Sequence, residues 1–160
     1  MLLSICVEKL FTAIIYFSDE KHIIEKIELN HKKLKDTEFP LINEGFKSIF
    51  RYFVEYFNDT ARKDNIYRYI DLSLYSTFCK SVYSETIKIP YGETITYAEL
   101  ARRVLKPEAA RAVGQCLSKN RYPLIIPCHR VVGMKDLGGF KYGSKLKKVI
   151  LDREKSNYIS

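Results

Sequence analysis

The segment TITYAELARRVLKPEAARAVGQCLSKN (94–120) constrains the fold most, because its pattern predicts two helices with a tight join. Thr96 and Glu99 match a capping box, in which the two side chains bond each other's backbone at the start of a helix. Pro107 suits the first turn of the second helix, where a missing N–H costs nothing. The segment therefore predicts a helix-turn-helix element.

The second helix of this pair has two faces of different character. Its predicted inner face holds Ala110, Val113, Cys116 and Leu117. Its outer face holds Arg111, Gln115 and Ser118, beside the small residues Ala109, Ala112 and Gly114. A slim helix with one long arginine suits insertion into a DNA groove, because a large side chain would hold the backbone off the groove floor. An alanine-rich helix packed against a neighbouring element is the alternative that remains open.

The first half of the chain predicts a small antiparallel sheet with helices. Three β-like runs, LLSICVE (2–8), LFTAIIYF (10–17) and KHIIEKIEL (21–29), are separated by short polar breaks. A helix over 41–57 is predicted to lie on this sheet through Phe46, Ile49, Phe50, Phe53, Val54 and Phe57. A short strand over 66–72 and a helix over 74–87 follow, the helix with Leu74, Phe78 and Val82 on one face.

The turn IPYGE (89–93) predicts a domain boundary, because proline and glycine occur there and the composition changes afterwards. We expect an α+β chain, with an N-terminal α/β supporting domain over 1–88. A mainly helical domain over 89–160 carries a winged helix-turn-helix-like element. The apolar stretches are too short to span a bilayer, and MLLSICVEKL has no basic leader. We therefore expect a cytoplasmic protein without a membrane segment.

Basic residues are concentrated in the second half of the chain. The net charge is +8, yet residues 1–79 hold 11 basic and 12 acidic residues, whereas residues 80–160 hold 16 and 7. An excess confined to one half indicates a face for a polyanion, with nucleic acid the leading candidate. A solvated, lysine-rich surface is the competing interpretation.

The four cysteines are Cys6, Cys79, Cys116 and Cys128. They lie far apart and form no CxxC pair, so the sequence predicts neither a zinc site nor a disulfide framework. Cys6 and Cys79 are interpreted as small core residues. His22 and His31 have no partners at ligand spacing and are interpreted as ordinary surface or strand residues.

The stretch IPCHRVVG (126–133) places Cys128 beside His129, after the apolar run PLIIP, which predicts a buried strand. A thiolate is a nucleophile, and a neighbouring imidazole commonly lowers the pKa of the thiol. Glu154, in a predicted helix over 144–155, is a candidate acceptor for the second ring nitrogen of His129. This would complete a Cys-His-Glu relay.

A specific resemblance follows from these motifs taken together. NRYPLIIPCHRVVG, preceded by ETITYAELA and AARAVGQCLSKN and followed by GGFKYG and ILDRE, resembles the 6-O-alkylguanine-DNA alkyltransferase family. The resemblance is close over about 80–155. It implies direct reversal of DNA damage: a modified guanine is flipped out of the duplex, and its alkyl group passes irreversibly to a cysteine of the protein.

The resemblance also implies a role for individual residues. Cys128 matches the alkyl acceptor, His129 the base that acts through a water, and Glu154 the carboxylate that orients the histidine. Asn120 matches the residue that braces the turn before the cysteine, and Tyr97 matches one that helps rotate the nucleotide and can protonate the departing guanine. Arg111 replaces the extruded base, and the recognition helix contributes Ala110, Ala112, Gly114, Gln115 and Ser118. The substrate pocket is expected to contain Tyr97, Pro123 and Val131, with Phe140 and Lys141 as departures from the family pattern at its lip.

The family implies double-stranded DNA as the partner, entered through the minor groove with little sequence preference, and we expect a monomer without a cofactor. Some relatives have a metal site in the N-terminal half, but this sequence has no matching ligand set, so we predict no metal. Two other interpretations remain at this point. One is a helix-turn-helix protein that binds lesions without chemistry. The other is a cysteine hydrolase that uses Cys128, His129 and Glu154.

Overall fold

The computed structural model describes residues 2–7, 10–18, 23–30, 44–56 and 63–158. The chain divides into two compact units, Met1–Asp71 and Leu72–Ser160. This division precedes the helix over Thr77–Ile87, which the sequence analysis assigned to the first domain. The helix belongs with the second unit because it packs against the helix over Ala110–Ser118.

The first unit contains the predicted three-stranded antiparallel sheet. Its strands are β1 (Leu2–Val7), β2 (Phe11–Ser18) and β3 (Ile23–Asn30), in the order β1-β2-β3. Alternate residues of β2 are buried, as the period of a strand requires: Phe11, Ala13, Ile15 and Phe17. His22 and His31, and the side chain of Cys6, lie outside the described residues.

Helix α1 (Glu44–Val54) is shorter than the predicted 41–57, and its buried face confirms Ile49 and Phe53 but not the whole predicted set. Its buried face, with the residue two positions beyond the helix, follows the spacing i, i+3, i+4, i+7: Ile49, Tyr52, Phe53 and Tyr56. Phe50 and Val54 were predicted to be core residues but are 38% and 46% exposed. This part of the prediction was wrong because the rings of Tyr52 and Tyr56 pack into the core as phenylalanine rings do, which turns Phe50 and Val54 outward. The side chains of Phe46 and Phe57 are outside the described part.

The predicted strand over 66–72 is a 3₁₀ helix, Lys63–Tyr69, followed by a single bridge between Ile70 and Ile24. Ile66 and Tyr69 are both buried. Their spacing of three residues matches one turn of a 3₁₀ helix, in which positions i and i+3 lie on the same side. In a segment this short, the sequence pattern does not distinguish the three-residue period of a 3₁₀ helix from the two-residue period of a strand.

Helix α2 (Thr77–Ile87) opens the second unit. The hydroxyl of Ser76 accepts a hydrogen bond from the backbone N–H of Cys79 and caps the helix. Because the cap fixes the start of the helix, Leu74 precedes it and is 78% exposed, which corrects its prediction as a core residue. The buried face of α2 consists of Cys79, Val82, Tyr83 and Thr86.

The predicted helix pair is present as α3 (Tyr97–Arg103) and α4 (Ala110–Ser118), joined through a 3₁₀ turn at Pro107–Ala109. The hydroxyl of Thr96 accepts from the N–H of Glu99, as the capping box requires. The carboxylate of Glu99 accepts a hydrogen bond from Arg103 at 2.7 Å, so its side chain bonds the next turn of the helix.

A disulfide between Cys79 and Cys116 corrects the expectation that the cysteines form no such bond. The two residues are 37 positions apart in sequence, but the packing of α2 on α4 brings their Cα atoms to 5.3 Å. This separation lies in the range that a disulfide can bridge. Sequence spacing carried no sign of the pairing because it depends on how two distant helices pack.

Two short strands and a final helix complete the second unit. Strand β4 (Ile95–Thr96) pairs in parallel with β5 (Val131–Val132), and α5 spans Ser144–Tyr158. Helix α5 buries Leu146, Ile150 and Leu151. Among the described residues, no helix has the length and apolar character needed to cross a membrane.

Two leucines with positive φ make a matched test of backbone strain. Leu105 (φ 58°) is 86% exposed in the turn between α3 and α4, whereas Leu124 (φ 73°) is 1% exposed. Glycine adopts positive φ freely. We expect Leu105→Gly to raise the free energy of unfolding by about 0.5–1 kcal/mol, because relief of strain exceeds the added entropy of the unfolded chain.

Leu124→Gly is the counterpart, because it relieves the same strain but removes a buried side chain. We expect it to lower the free energy of unfolding by about 2–5 kcal/mol. Urea denaturation of both variants measures the difference. A fall in the free energy of unfolding for both variants would show that strain at Leu105 does not control stability.

Candidate functional site

The segment before Cys128 is a compact turn rather than the predicted buried strand. A bridge between Pro123 and Ile126 and the positive φ of Leu124 fold it tightly. It is nonetheless buried, because Leu124, Ile125 and Ile126 are each at most 1% exposed. Apolar content therefore predicted burial correctly but not the local conformation.

Asn120 holds this turn from inside. Its side-chain oxygen accepts a hydrogen bond from the N–H of Tyr122 at 2.9 Å. Its amide nitrogen donates to the carbonyl of Ile126 at 2.9 Å and to Sγ of Cys128 at 3.2 Å. Asn120 is 3% exposed, so these bonds are shielded from water. One amide thus connects the end of α4, the turn and the thiol.

Cys128 begins the 3₁₀ segment Cys128–Arg130 and lines a cavity of about 290 Å³. Burial raises the pKa of its thiol, although the amide of Asn120 and the ammonium of Lys147 act in the opposite direction. This direction is opposite to the prediction that the neighbouring imidazole lowers the pKa of the thiol. The side chain of His129 instead bonds Glu154, so the resting sulfur keeps its proton and requires a base to remove it.

His129 and Glu154 form a buried pair, with 2.8 Å between Nε2 and Oε1 and neither residue exposed. A carboxylate can only accept a hydrogen bond, so Nε2 carries the hydrogen and Nδ1 the lone pair. Burial lowers the pKa of His129 despite the opposing effect of Glu154. A neutral imidazole of fixed tautomer can accept a proton at Nδ1.

Arg130 is a contributor that sequence reasoning missed. Its Nε and Nη2 donate to the two oxygens of Glu154, each at 2.9 Å, and its Nη1 donates to the carbonyl of Ile89 at 2.9 Å. Burial opposes ionisation of Glu154, but His129 and Arg130 outweigh it and hold the pKa of that carboxyl well below its usual range. The carboxylate that faces His129 is therefore charged at neutral pH and fixed in orientation.

Lys147 is a second residue that was missed. It is fully buried, and its Nζ donates to the carbonyls of Val131 at 2.7 Å and Gly139 at 3.1 Å. Burial lowers the pKa of this ammonium to about 8, with Cys128 and Asp136 opposing the shift. Helical spacing could have revealed it, because Lys147, Leu151 and Glu154 repeat at i, i+4, i+7.

The cavity contains most of the predicted pocket residues. Tyr97, Pro123, Phe140 and Lys141 line it, together with residues that were assigned elsewhere or missed: Gly114, Leu117, Ser118, Asn120, Gly139 and Tyr142. Of the described residues, Val131 does not line the cavity, contrary to expectation, because it is fully buried in β5. Its backbone carbonyl contributes instead, as the acceptor for Lys147.

Tyr97 forms one wall of the cavity at the start of α3. Burial raises the pKa of its phenol, and the hydroxyl donates to the carbonyl of Gly139 at 3.3 Å. Gly138 has φ +66°, and a Cβ there would lie 2.7 Å from the ring of Tyr97. Glycine is therefore required at 138 for the loop to approach this ring.

Helix α4 presents its predicted outer face to solvent beside the cavity. Arg111, Gln115 and Ser118 are exposed, whereas Ala110, Ala112 and Gly114 are partly buried. Gly114 and Ser118 also line the cavity. The structure therefore brings the small face of α4, its long arginine and the candidate nucleophile into one region of the second unit.

Comparison with known proteins agrees with this geometry. A family model described as the 6-O-methylguanine DNA methyltransferase DNA-binding domain matches residues 77–156. A probable methylated-DNA--protein-cysteine methyltransferase of Acanthamoeba polyphaga mimivirus is 34% identical over 145 residues, 90% of this chain and 89% of that relative. The chain belongs to the 6-O-methylguanine DNA methyltransferase family.

Two further members of this family delimit the similarity. The methylated-DNA--protein-cysteine methyltransferase of Methanocaldococcus vulcanius is 51% identical over 79 residues, about half of each chain at 49% and 48%. The crystal structure of Mycobacterium tuberculosis OGT in complex with DNA is 27% identical, with a TM-score of 0.73 over 96% of this chain and 92% of that one. This structural similarity confirms the α+β fold that the sequence predicted for this chain.

Proposed function

We propose that this chain repairs 6-O-alkylguanine in duplex DNA by transferring the alkyl group to Sγ of Cys128, once per molecule. The observation that carries the proposal is the cavity beside α4, in which the thiol of Cys128 meets the amide of Asn120. A base inside a duplex cannot reach such a cavity, so the nucleotide must be flipped out of the stack.

The transfer is a displacement at the alkyl carbon. His129 takes the thiol proton through a water, the S–C bond forms, and the C–O6 bond breaks with its electron pair moving to the guanine. Tyr97, whose pKa burial raises, still holds its proton at neutral pH and donates it to the guanine. The imidazolium then loses its proton through solvent and Tyr97 regains one. The net result is one proton moved from thiol to guanine.

The surrounding charges assist this step without taking part in bond changes. The amide of Asn120 and the ammonium of Lys147 both favour the thiolate that develops on Cys128. Glu154 stabilises the imidazolium that forms on His129. The product is a thioether, which has no route back to a thiol here, so one molecule repairs one lesion.

Helix α4 is proposed to enter the minor groove, with Arg111 filling the gap left by the flipped nucleotide. An exposed arginine on a slim face suits this role, because a planar cation can replace a base in the stack. Minor-groove entry offers little base information, so binding is largely sequence-independent and salt-sensitive. We place this activity in the cytoplasm and assign it to a monomer.

Incubation with a duplex that contains one isotopically labelled 6-O-methylguanine tests the proposal. We expect one methyl per protein on the peptide that contains Cys128, with no second turnover. Label that stays on tightly bound DNA would favour a lesion-binding protein. Repeated turnover of a small acyl ester would favour a cysteine hydrolase.

Arg111→Ala is expected to slow repair of duplex DNA by about 10–100-fold, because leaving the gap in the base stack unfilled costs a few kcal/mol. Reaction with the free modified base needs no flipping and should change by less than about twofold. Lys148→Ala, which removes one exposed charge from α5, is the matched control for net charge. Equal loss with duplex and free base would disprove the gap-filling role.

The pH profile of transfer follows from two opposite shifts. The pKa of His129 lies below 6.5 and that of Cys128 above 9.0. Between these values the base is neutral and the thiol protonated, and Lys147, with a pKa of about 8, stays mostly charged up to pH 7.5. Single-turnover rates should therefore be flat within about twofold from pH 6.5 to 7.5. For an exposed thiol, the ionised fraction and therefore the rate rise about tenfold per pH unit below the pKa. Such a tenfold rise in this protein would show that hydroxide, not His129, activates the sulfur.

A further inference from the structure

Helix α2 and the residue just before its cap hold the carboxyl end of α4 at three points. Cys79 forms the disulfide with Cys116. Tyr83 donates a hydrogen bond to the carbonyl of Cys116 at 2.7 Å, and Tyr75 donates one to the carbonyl of Lys119 at 3.2 Å. The last carbonyls of a helix lack partners within the helix. These contacts therefore fix the end of α4 both covalently and by hydrogen bonds.

The residue that follows this fixed end is Asn120, whose amide contacts the candidate nucleophile. Its N–H bonds the carbonyl of Leu117 at 3.2 Å, so Asn120 continues the last turn of α4. Its side chain then reaches the carbonyl of Ile126 and Sγ of Cys128. The disulfide thus lies one helical turn from the hydrogen bond to the reacting sulfur.

We propose that the Cys79–Cys116 disulfide is a redox-sensitive positioning element, which holds α4 so that Asn120 stays bonded to Sγ of Cys128. Cys79 and Cys116 do not touch the reacting atoms and act through Asn120. The two residues of the disulfide are 7% and 5% exposed, so exchange with a dithiol is slower than at a surface bond, but burial does not prevent the link from reaching equilibrium with the dithiol. When the link is open, the end of α4 keeps two hydrogen bonds but loses its covalent anchor.

The chemical step that opens the link is thiol–disulfide exchange with a dithiol. The S–S bond breaks, each sulfur gains one electron and one proton, and the dithiol is oxidised to its cyclic disulfide. A disulfide reagent reverses the step. Reducing compartments keep most cysteines as free thiols. Whether the Cys79–Cys116 disulfide is closed or reduced therefore depends on the redox potential around the protein.

The test compares the purified protein with the link closed and with it opened by a dithiol that is then removed. Peptide mass mapping reports the link as a cross-linked peptide containing Cys79 and Cys116. The rate at which a haloacetamide labels Cys128 is then measured against pH. We expect the apparent pKa of Cys128 to rise on opening, with labelling about two- to tenfold slower at pH 7, the effect of one weakened hydrogen bond.

The titratable side chains that act on Cys128 with the link closed lie on each packed element: Lys147 on α5, Tyr97 on α3 and Tyr83 on α2. Opening the link adds the thiols of Cys79 and Cys116, whose labelling is separated from that of Cys128 by peptide mass. Val82→Ala, a buried change on α2 away from the link, is the control for lost stability. It should lower Tm and leave the pH profile unchanged.

A double-mutant cycle assigns the effect to Asn120. Cys79→Ala should slow labelling in the wild-type background, but add nothing in the Asn120→Ala background, because the connecting amide is already absent. Additive effects would overturn the proposal, as would identical profiles with the link closed and open. Absence of the cross-linked peptide from air-oxidised protein would overturn it as well.

The inference rests on the proposed function only for its consequence in repair. The haloacetamide assay needs no DNA, so a shifted pKa of Cys128 supports the positioning role even if no methyl transfer is found. Failure of methyl transfer with the link closed would instead contradict the proposed function. The two failures are therefore distinguishable in one set of samples.

Discussion

We expect Cys128→Ser to abolish methyl transfer from duplex 6-O-methylguanine, with a rate at least about 10³-fold below that of the wild type. A serine hydroxyl is a far weaker nucleophile than a thiol at neutral pH, and His129, with its pKa lowered by burial, cannot deprotonate it effectively. The measurement is single-turnover transfer of an isotopic methyl, located by peptide mass.

DNA binding should survive the same substitution. The hydroxyl is slightly smaller than the thiol and carries no charge, and the exposed residues Arg111 and Gln115 on α4 are untouched. We expect the dissociation constant for the lesion duplex, measured by fluorescence anisotropy, to change by less than about twofold. Cys6→Ser, the same substitution at another cysteine of the sequence, is the matched control and should transfer normally. Methyl transfer by Cys128→Ser at the wild-type rate would place the acceptor elsewhere.

Residue type alone predicted the chemistry of Cys128 and His129, whereas Asn120 was predicted only through the family resemblance. Cys128, His129 and Asn120 lie within nine positions of one another, and local chain geometry keeps them close. The predicted contact between His129 and Glu154 is confirmed, with 2.8 Å between Nε2 and Oε1. Cys128 and His129 are adjacent in sequence and belong to one site, but the imidazole bonds Glu154.

The parts that were missed depend on long-range packing or on the dual character of a side chain. Lys147 appears as one more basic residue in a basic helix, and only its position on the buried face of α5 separates it from Lys148, which is exposed. Tyr52 and Tyr56 bury their rings despite a polar group. The Cys79–Cys116 pair required the packing of α2 on α4. Pattern periodicity treats each element alone and cannot report these contacts.

The second large effect is expected for Glu154→Gln. The amide keeps the size of the carboxylate but removes the charge that Arg130 and His129 share. A buried guanidinium without its counter-ion is costly, so we expect the free energy of unfolding to fall by about 3–5 kcal/mol. We also expect transfer to slow by about 10²–10⁴-fold, because the tautomer of His129 is no longer fixed by a carboxylate.

Asp152→Asn on the same helix supplies the comparison, because it removes an equal charge from an exposed pair. Lys148 and Asp152 lie 2.6 Å apart with 64% and 60% of their side chains exposed. Such a pair contributes about 0.3–0.5 kcal/mol, and its loss should leave transfer unchanged. Urea denaturation and single-turnover transfer measure both variants. Similar small losses of stability in the two would show that Glu154 is not ionised in the folded protein.

The dependence of this difference on pH identifies the carboxylate as its source. The pKa of Glu154 in the folded chain is below its ordinary value of 4.5, so the unfolded chain binds more protons at this position as pH falls. The stabilisation is therefore complete above about pH 4.5 and is lost as pH falls towards the folded pKa. Glu154→Gln has no such group, and the two stability curves should converge in acid. A constant gap down to pH 3 would attribute the loss to altered packing instead of charge.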